Sequence, residues 1–224
     1  MSSNKDYEFN EKIHSILLNP YLSKESFQIN IDLIKKYNIK NISTSLNFLS
    51  YVKDIFPLSK IKINTLISYP FGDLPNNFAQ ELILYAKDAG SQGIEYTPKF
   101  FTLSNNNEEE FAKDIENISK FDLPITLIFN KRKLSKEVFN KAINLSLELG
   151  IKNFQFGDGF GQYLRVNEIK EILNLLGNNT FIKIVGGIKT IADVKETLDA
   201  GADCVGSSYY HDIFLELKNS INVN

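Results

Sequence analysis

One alternation constrains the fold of this chain more than any other feature. Short runs rich in β-branched and aromatic residues stand at Asn41–Ser45, Ile61–Ser68, Gly93–Thr97, Ile125–Phe129, Asn153–Gly157, Phe181–Val185 and Asp203–Gly206. Between them lie stretches with apolar residues at three- and four-residue steps, the spacing of helices that bury one face. Lys12–Leu17 supplies an eighth run, ahead of a helix at Lys24–Lys36. Strands that alternate with helices build parallel βαβ units. Eight such units in 224 residues imply an α/β protein with a closed (β/α)8 barrel, near the lower size limit of about 200 residues for that architecture. An open doubly wound sheet is the alternative on periodicity alone.

The helices can be read in more detail. Phe78, Leu82, Tyr85, Ala86 and Ala89 are expected on one buried face, as are Phe111, Ile115 and Ile118, and Val138, Ala142, Leu145 and Leu149. Gly90, Gly150 and Gly201 each follow a helix by one residue, where a left-handed glycine ends it. Asn105–Glu110 reads as a solvated loop entering a helix, its acids favoured by the helix dipole.

Composition removes several function classes. The 25 Lys and Arg against 27 Asp and Glu leave a net charge of −2, without the basic excess of a nucleic-acid binder. The single cysteine, Cys204, excludes an intramolecular disulfide framework and a Cys-based zinc cluster. With two histidines, His14 and His211, and no clustered carboxylates, no metal or cofactor is expected. The N-terminal segment lacks the apolar region of a secretory signal, and no stretch approaches the ~20 apolar residues of a membrane span. A cytoplasmic protein with no membrane partner is therefore expected.

In a barrel the chemistry sits at the C-terminal ends of the strands. Glycines gather there, at Gly186-Gly187 after the seventh run, Gly206-Ser207-Ser208 at the eighth, and Gly157-Asp158-Gly159-Phe160-Gly161 after the sixth. Such turns let backbone N–H groups and Ser hydroxyls close on an anion, so Gly186, Gly187, Ser207, Ser208 and Gly159 are the candidate phosphate ligands. Lys183 interrupts the apolar run Phe181–Val185, and a lysine facing the barrel axis is desolvated, which favours a nucleophilic amine. Glu95 lies inside the fourth run as a proton shuttle or partner of Lys183. Lys99, just past that run, is a candidate second cation, and Lys183, Lys99 and Lys189 are expected around one phosphate-binding mouth. His14, His211 and Cys204 read as packed or solvated residues without a chemical role.

The strand ends also resemble a known family, the deoxyribose-phosphate aldolases, which form a Schiff base on a TIM barrel. The matching pieces are Leu17-Leu18-Asn19-Pro20, Ser68-Tyr69-Pro70-Phe71-Gly72, and Gly90 through Glu95. They continue with Gly150 through Phe160, Lys183 through Thr190, Ala200-Gly201-Ala202-Asp203, and Gly206-Ser207-Ser208. The resemblance implies a single aldolase-like barrel domain over residues 1–224, with 1–11 as an N-terminal extension or helix. Set against it, the family's Schiff-base lysine position is Gln155, whose amide forms no imine, and the residues after it read Phe156-Gly157-Asp158. The family's second lysine is matched by Lys183, its strand-four aspartate by Glu95, its strand-five lysine by Thr126 and its first-strand aspartate by Ile13. The tail Lys218–Asn224 lacks the tyrosine that some members carry.

The resemblance implies retro-aldol chemistry on a small phosphorylated sugar or aldehyde, with Lys183 as the amine, Glu95 moving protons, and Gln155, Asp158 and Lys99 around them. It also implies a homodimer. The alternative is a non-catalytic pseudoaldolase that binds a sugar phosphate or a protein partner. A third reading pairs Asp158 with Glu95 as acid and base for isomerisation or dehydration.

Overall fold

The structure, a computed structural model, describes residues 8–19, 21–56, 60–160 and 163–221. Most of the 1–11 segment, Pro20, Gly161 and the 222–224 part of the tail lie outside the described residues. A short helix α1 (Phe9–Lys12) leads into β1 (Ile13–Leu17). Then follow α2 (Lys24–Lys36), β2 (Asn41–Thr44), α3 (Leu46–Ile55), β3 (Lys62–Ile67), α4 (Asn76–Asp88) and β4 (Gly93–Tyr96). A short α5 (Phe100–Ser104) and α6 (Glu108–Ile118) precede β5 (Ile125–Phe129), α7 (Lys136–Glu148) and β6 (Asn153–Phe156). The chain closes with α8 (Val166–Leu176), β7 (Phe181–Val185), α9 (Ile191–Asp199), β8 (Cys204–Ser207) and α10 (Tyr210–Ile221). All eight strands pair in parallel with their sequence neighbours, and β8 pairs back on β1, so the sheet is a closed (β/α)8 barrel rather than an open one.

Local chemistry explains the boundaries. Ser23, Asn107, Ser135 and Thr190 cap α2, α6, α7 and α9 by accepting an N–H from three residues on. Gly90, Gly150 and Gly201 adopt φ of 95°, 82° and 112°. After each, the next residue's N–H returns to the helix: Ser91 to Ala86, Ile151 to Ser146 and Ala202 to Thr197. These are Schellman turns, and they aim the chain into β4, β6 and β8 within a few residues.

Strand alternation sorts side chains into two shells. Outward residues such as Ile42, Ile63, Ile94, Leu127, Phe154, Ile182 and Val205, each at most 1 % exposed, pack against the helices. Aromatics concentrate at β5 and β6, where Phe129 lies 5.9 Å from Phe154 and 5.0 Å from Phe100 of α5. The face expected for α4 is displaced by one residue. Ala79, Ile83 and Ala86 are its buried residues, while Phe78 and Tyr85 are 52 % and 56 % exposed. In α7 the fully buried residues are Phe139, Ala142, Ile143 and Ser146, with Val138, Leu145 and Leu149 partly buried beside them. No helix among the described residues is long and apolar enough to cross a membrane.

Candidate active site

Inward-facing residues begin with Lys183 in the middle of β7. Its side chain is 2 % exposed, and its ammonium donates to Glu95 Oε1 at 2.6 Å and to Ser43 Oγ at 2.8 Å. Ser43, on β2, donates to the same Glu95 oxygen at 2.8 Å. Three strands thus place a cation, an anion and a hydroxyl in one closed triangle on the barrel axis. Two charges survive there because each compensates the other and the hydroxyl completes the hydrogen bonding. Ser43 was not singled out from the sequence, although its place inside a short strand run was legible.

Gln155 is the register partner of Lys183 across β6 and β7, and Cys204 is its partner across β7 and β8. Gln155 is buried, donates from Nε2 to the Gly157 carbonyl at 3.1 Å, and leaves Oε1 without a partner. Cys204 is buried, and burial pushes its thiol up to about 12. His14 of β1 is also buried. Burial, then the nearby ammonium groups of Lys183, Lys62 and Lys12, hold its pKa well below the usual imidazole value.

A cleft of about 1030 Å³ opens at the C-terminal end of the barrel. All five candidate phosphate ligands, Gly159, Gly186, Gly187, Ser207 and Ser208, line it. Gly186 and Gly187 have φ of 102° and 73°, and a Cβ on Gly187 would stand 2.8 Å from the Tyr163 Cβ. The turn after β7 therefore depends on glycine. Ser207 is committed to the protein: its Oγ donates to the Ile188 carbonyl at 2.7 Å and accepts the Tyr209 N–H at 2.9 Å. It ties the β7 and β8 turns together, while Ser208 is exposed in the cleft. The first turn of α9 is capped by Asp193, which accepts from the N–H groups of Lys189 and Thr190.

Of the three lysines expected around this mouth, only Lys189 lines the cleft. Lys183 lies under its floor. Ile16, Val185 and Gly206 line the cleft from below, and a Cβ on Gly206 would meet Lys183 Cε at 2.9 Å. Lys99 is buried to the side, its ammonium bonded to Asn76 at the start of α4 and its N–H donating to Asp114 of α6 at 3.2 Å. That placement depends on a loop path that strand and helix periodicity does not encode.

Asp158 occupies a side pocket that shares Gly159, Phe160, Val185 and Gly186 with the cleft. It pairs with Lys133 at 2.7 Å and accepts the Phe160 N–H at 3.0 Å. Burial acts to raise its pKa, but the bonds from Lys133, Asn130 and the Phe160 N–H outweigh it and hold the carboxyl below its ordinary value. The Asp158 carbonyl accepts the Tyr69 hydroxyl at 2.5 Å, and Tyr69 stacks with Phe160 at a centroid separation of 6.0 Å. Tyr69 and Phe160 both line the cleft wall. The sequence carried Tyr69 and Phe160 within the resembling segments, without a reason to pair them. Asp158 and Glu95 line different cavities, and each is paired with its own lysine, Lys133 and Lys183, rather than with the other.

No protein-family model matches the sequence. Individual relatives do. The chain is 25 % identical over 207 residues to the deoxyribose-phosphate aldolase of Staphylococcus carnosus, covering 90 % of this chain and 93 % of that one. It is 24 % identical over 204 residues to the deoxyribose-phosphate aldolase of Mycoplasmopsis pulmonis, covering 90 % and 93 %. Among solved structures, QR15, an aldolase, superposes with a TM-score of 0.88 at 18 % identity over 97 % of this chain and 99 % of that one. The tetrameric deoxyribose phosphate aldolase from Aeropyrum pernix gives 0.78 at 15 % identity, over 93 % and 90 %. By sequence this chain is thus similar to deoxyribose-phosphate aldolases over about nine-tenths of its length, and it shares the barrel fold of the solved aldolases.

Proposed function

We propose that the protein is an aldolase-type carbon–carbon lyase that holds a small phosphorylated sugar in the C-terminal cleft, with Lys183 as the reacting amine. The observation that carries this reading is the buried Lys183–Glu95–Ser43 triangle directly beneath a cleft lined by glycines and Ser208. An ammonium has no lone pair, so Lys183 first gives a proton to Glu95, 2.6 Å away. The freed amine rises past Gly206, where no Cβ stands in its way, and adds to the substrate carbonyl. The carbinolamine loses water to form an imine. Glu95 returns its proton to the imine nitrogen and then takes up the proton of the substrate's β-hydroxyl, the adjacent C–C bond breaks, and its electron pair moves into the iminium to give an enamine while an aldehyde leaves. Protonation of the enamine at carbon and hydrolysis of the imine restore Lys183.

In this reading Gly159, Gly186, Gly187 and Ser208 hold the phosphate, and Ser207 holds their turns in place. Gln155, Asp158 and Lys99 are positioning residues. Gln155 packs beside the amine, Asp158 fixes the Tyr69 wall and Lys99 anchors α5 on Asp114. One observation favours a second reading, a sugar-phosphate-binding protein without turnover: an amide occupies position 155, where the resemblance calls for the imine-forming lysine.

Borohydride trapping in the presence of a short aldehyde or deoxyribose 5-phosphate distinguishes the two. The first reading expects an adduct mass on the peptide carrying Lys183, absent from Lys183→Met. Phosphate-ester binding without any adduct overturns it and leaves the binding protein. A Gln155→Lys variant that gains cleavage where the parent has none also supports the second reading.

A further inference from the structure

The N-terminal end of the barrel holds a second cavity of about 360 Å³, inside the ~300–1,000 Å³ range of small-ligand sites. That end of a TIM barrel ordinarily serves stability alone. Here the lining is polar and charged, with His14, Asn64 and Thr126 on the walls and the Lys183–Glu95 pair at the inner limit. Two separate features point to a ligand. His14 is 6 % exposed, and its Nδ1 has no hydrogen-bond partner, a costly state for a buried ring nitrogen. Lys12 and Lys62 also line the cavity, and neither joins an ion pair among the described residues.

The carboxylates nearby do not cancel this charge. Asp203 is committed to the Ile182 N–H at 2.7 Å, and Glu95 is matched by Lys183. Glu11 lines the rim, where Lys40 adds a further cation bonded to Asn38. The charges that act on the His14 ring are the ammonium groups of Lys183, Lys62 and Lys12.

We propose that this N-terminal cavity is a binding site for a small oxyanion, a carboxylate or inorganic phosphate, held by Lys12 and Lys62 with a hydrogen bond from His14 Nδ1–H. The site faces the same Lys183–Glu95 pair from the side opposite the cleft. A bound anion there favours the ammonium form of Lys183, so its occupancy opposes any chemistry that needs the free amine. Binding itself does not depend on the aldolase reading.

The chain's two histidines make a direct test. Side-chain imidazole NMR signals of His14 and His211 are followed while sodium acetate, and separately inorganic phosphate, is added at constant ionic strength against sodium chloride. The proposal expects a saturable shift of the His14 signal with the His211 signal unmoved. In a Lys12→Ala/Lys62→Ala variant the affinity falls roughly tenfold or more. Lys62→Arg keeps most of it, and Ser208→Ala at the other end leaves it unchanged. A His14 signal that tracks chloride equally, never saturates, or shifts with undiminished affinity in the double variant overturns the proposal. Failure of borohydride trapping leaves this result untouched, so the two proposals fail separately.

Discussion

The outer and inner shells of this barrel solve opposite problems with adjacent residues. Along β6, Phe154 and Phe156 face the helices in an apolar shell of stacked and tilted rings. Gln155 between them faces the axis with one amide oxygen unpaired. The outer shell stabilises by removing apolar area from water, a non-directional term that scales with area. The inner shell spends burial on charge and hydrogen bonding, which yields little net stability and fixes one arrangement of groups instead. In this molecule the outer shell carries the fold, and the inner shell carries the candidate chemistry.

The largest expected effect tests that division within one strand. Phe154→Ala should cost about 3–5 kcal/mol by urea unfolding. Gln155→Leu next to it should stay within about 1 kcal/mol, because removal of an unpaired buried oxygen offsets loss of the bond to the Gly157 carbonyl. A larger loss at position 155 than at 154 would break the comparison. Next comes the ion pair. Glu95→Gln should destabilise by about 3 kcal/mol, the low end for breaking a buried pair, since the amide can still accept from Ser43. Glu95→Leu/Lys183→Met should recover most of that loss, and a double variant worse than the single would show that the pair stabilises the inner shell after all.

Gly206 lies where the inner shell meets the cleft. A Cβ there would stand 2.8 Å from Val185 Cγ2, 2.9 Å from Ile16 Cδ1 and 2.9 Å from Lys183 Cε. Gly206→Ala should therefore cost about 1–3 kcal/mol by overpacking and slow borohydride trapping more than it weakens phosphate-ester binding. The smallest effect concerns acid. The Asp158 carboxyl is held below its unfolded value of about 3.9. Its contribution is fully present above that pH and is lost as pH falls through the folded value. Lys133→Ala should reduce this dependence by less than about 1 kcal/mol, because Lys133 is half-exposed. Urea midpoints compared on either side of pH 4 would measure it.

The two shells also differ in how much of them was legible in the sequence. Period-two runs and Schellman glycines identify the strands, because those signals are local. The inward direction of Lys183 could be read from one charge among apolar residues. Its contact with Ser43 could not, since 140 positions separate them and closure of the barrel alone brings them together. The α4 face failed for a different reason. Phe78, Leu82 and Tyr85 follow helical spacing as well as Ala79, Ile83 and Ala86 do, and the sheet accepts the stripe with smaller side chains. Lys99 is expected at the mouth because it follows a strand end, whereas the chain entering α5 buries it against Asn76 and Asp114.

Cys204 has a use unconnected with any chemistry in the barrel. It is the chain's single thiol, 1 % exposed, beside Lys183 in the sheet, and its ionisation is suppressed by burial. It also borders the N-terminal cavity, so a small thiol reagent has to pass Lys12 and Lys62 to meet it. Its modification rate therefore reports how open that end of the barrel is, as a gauge built into the native sequence.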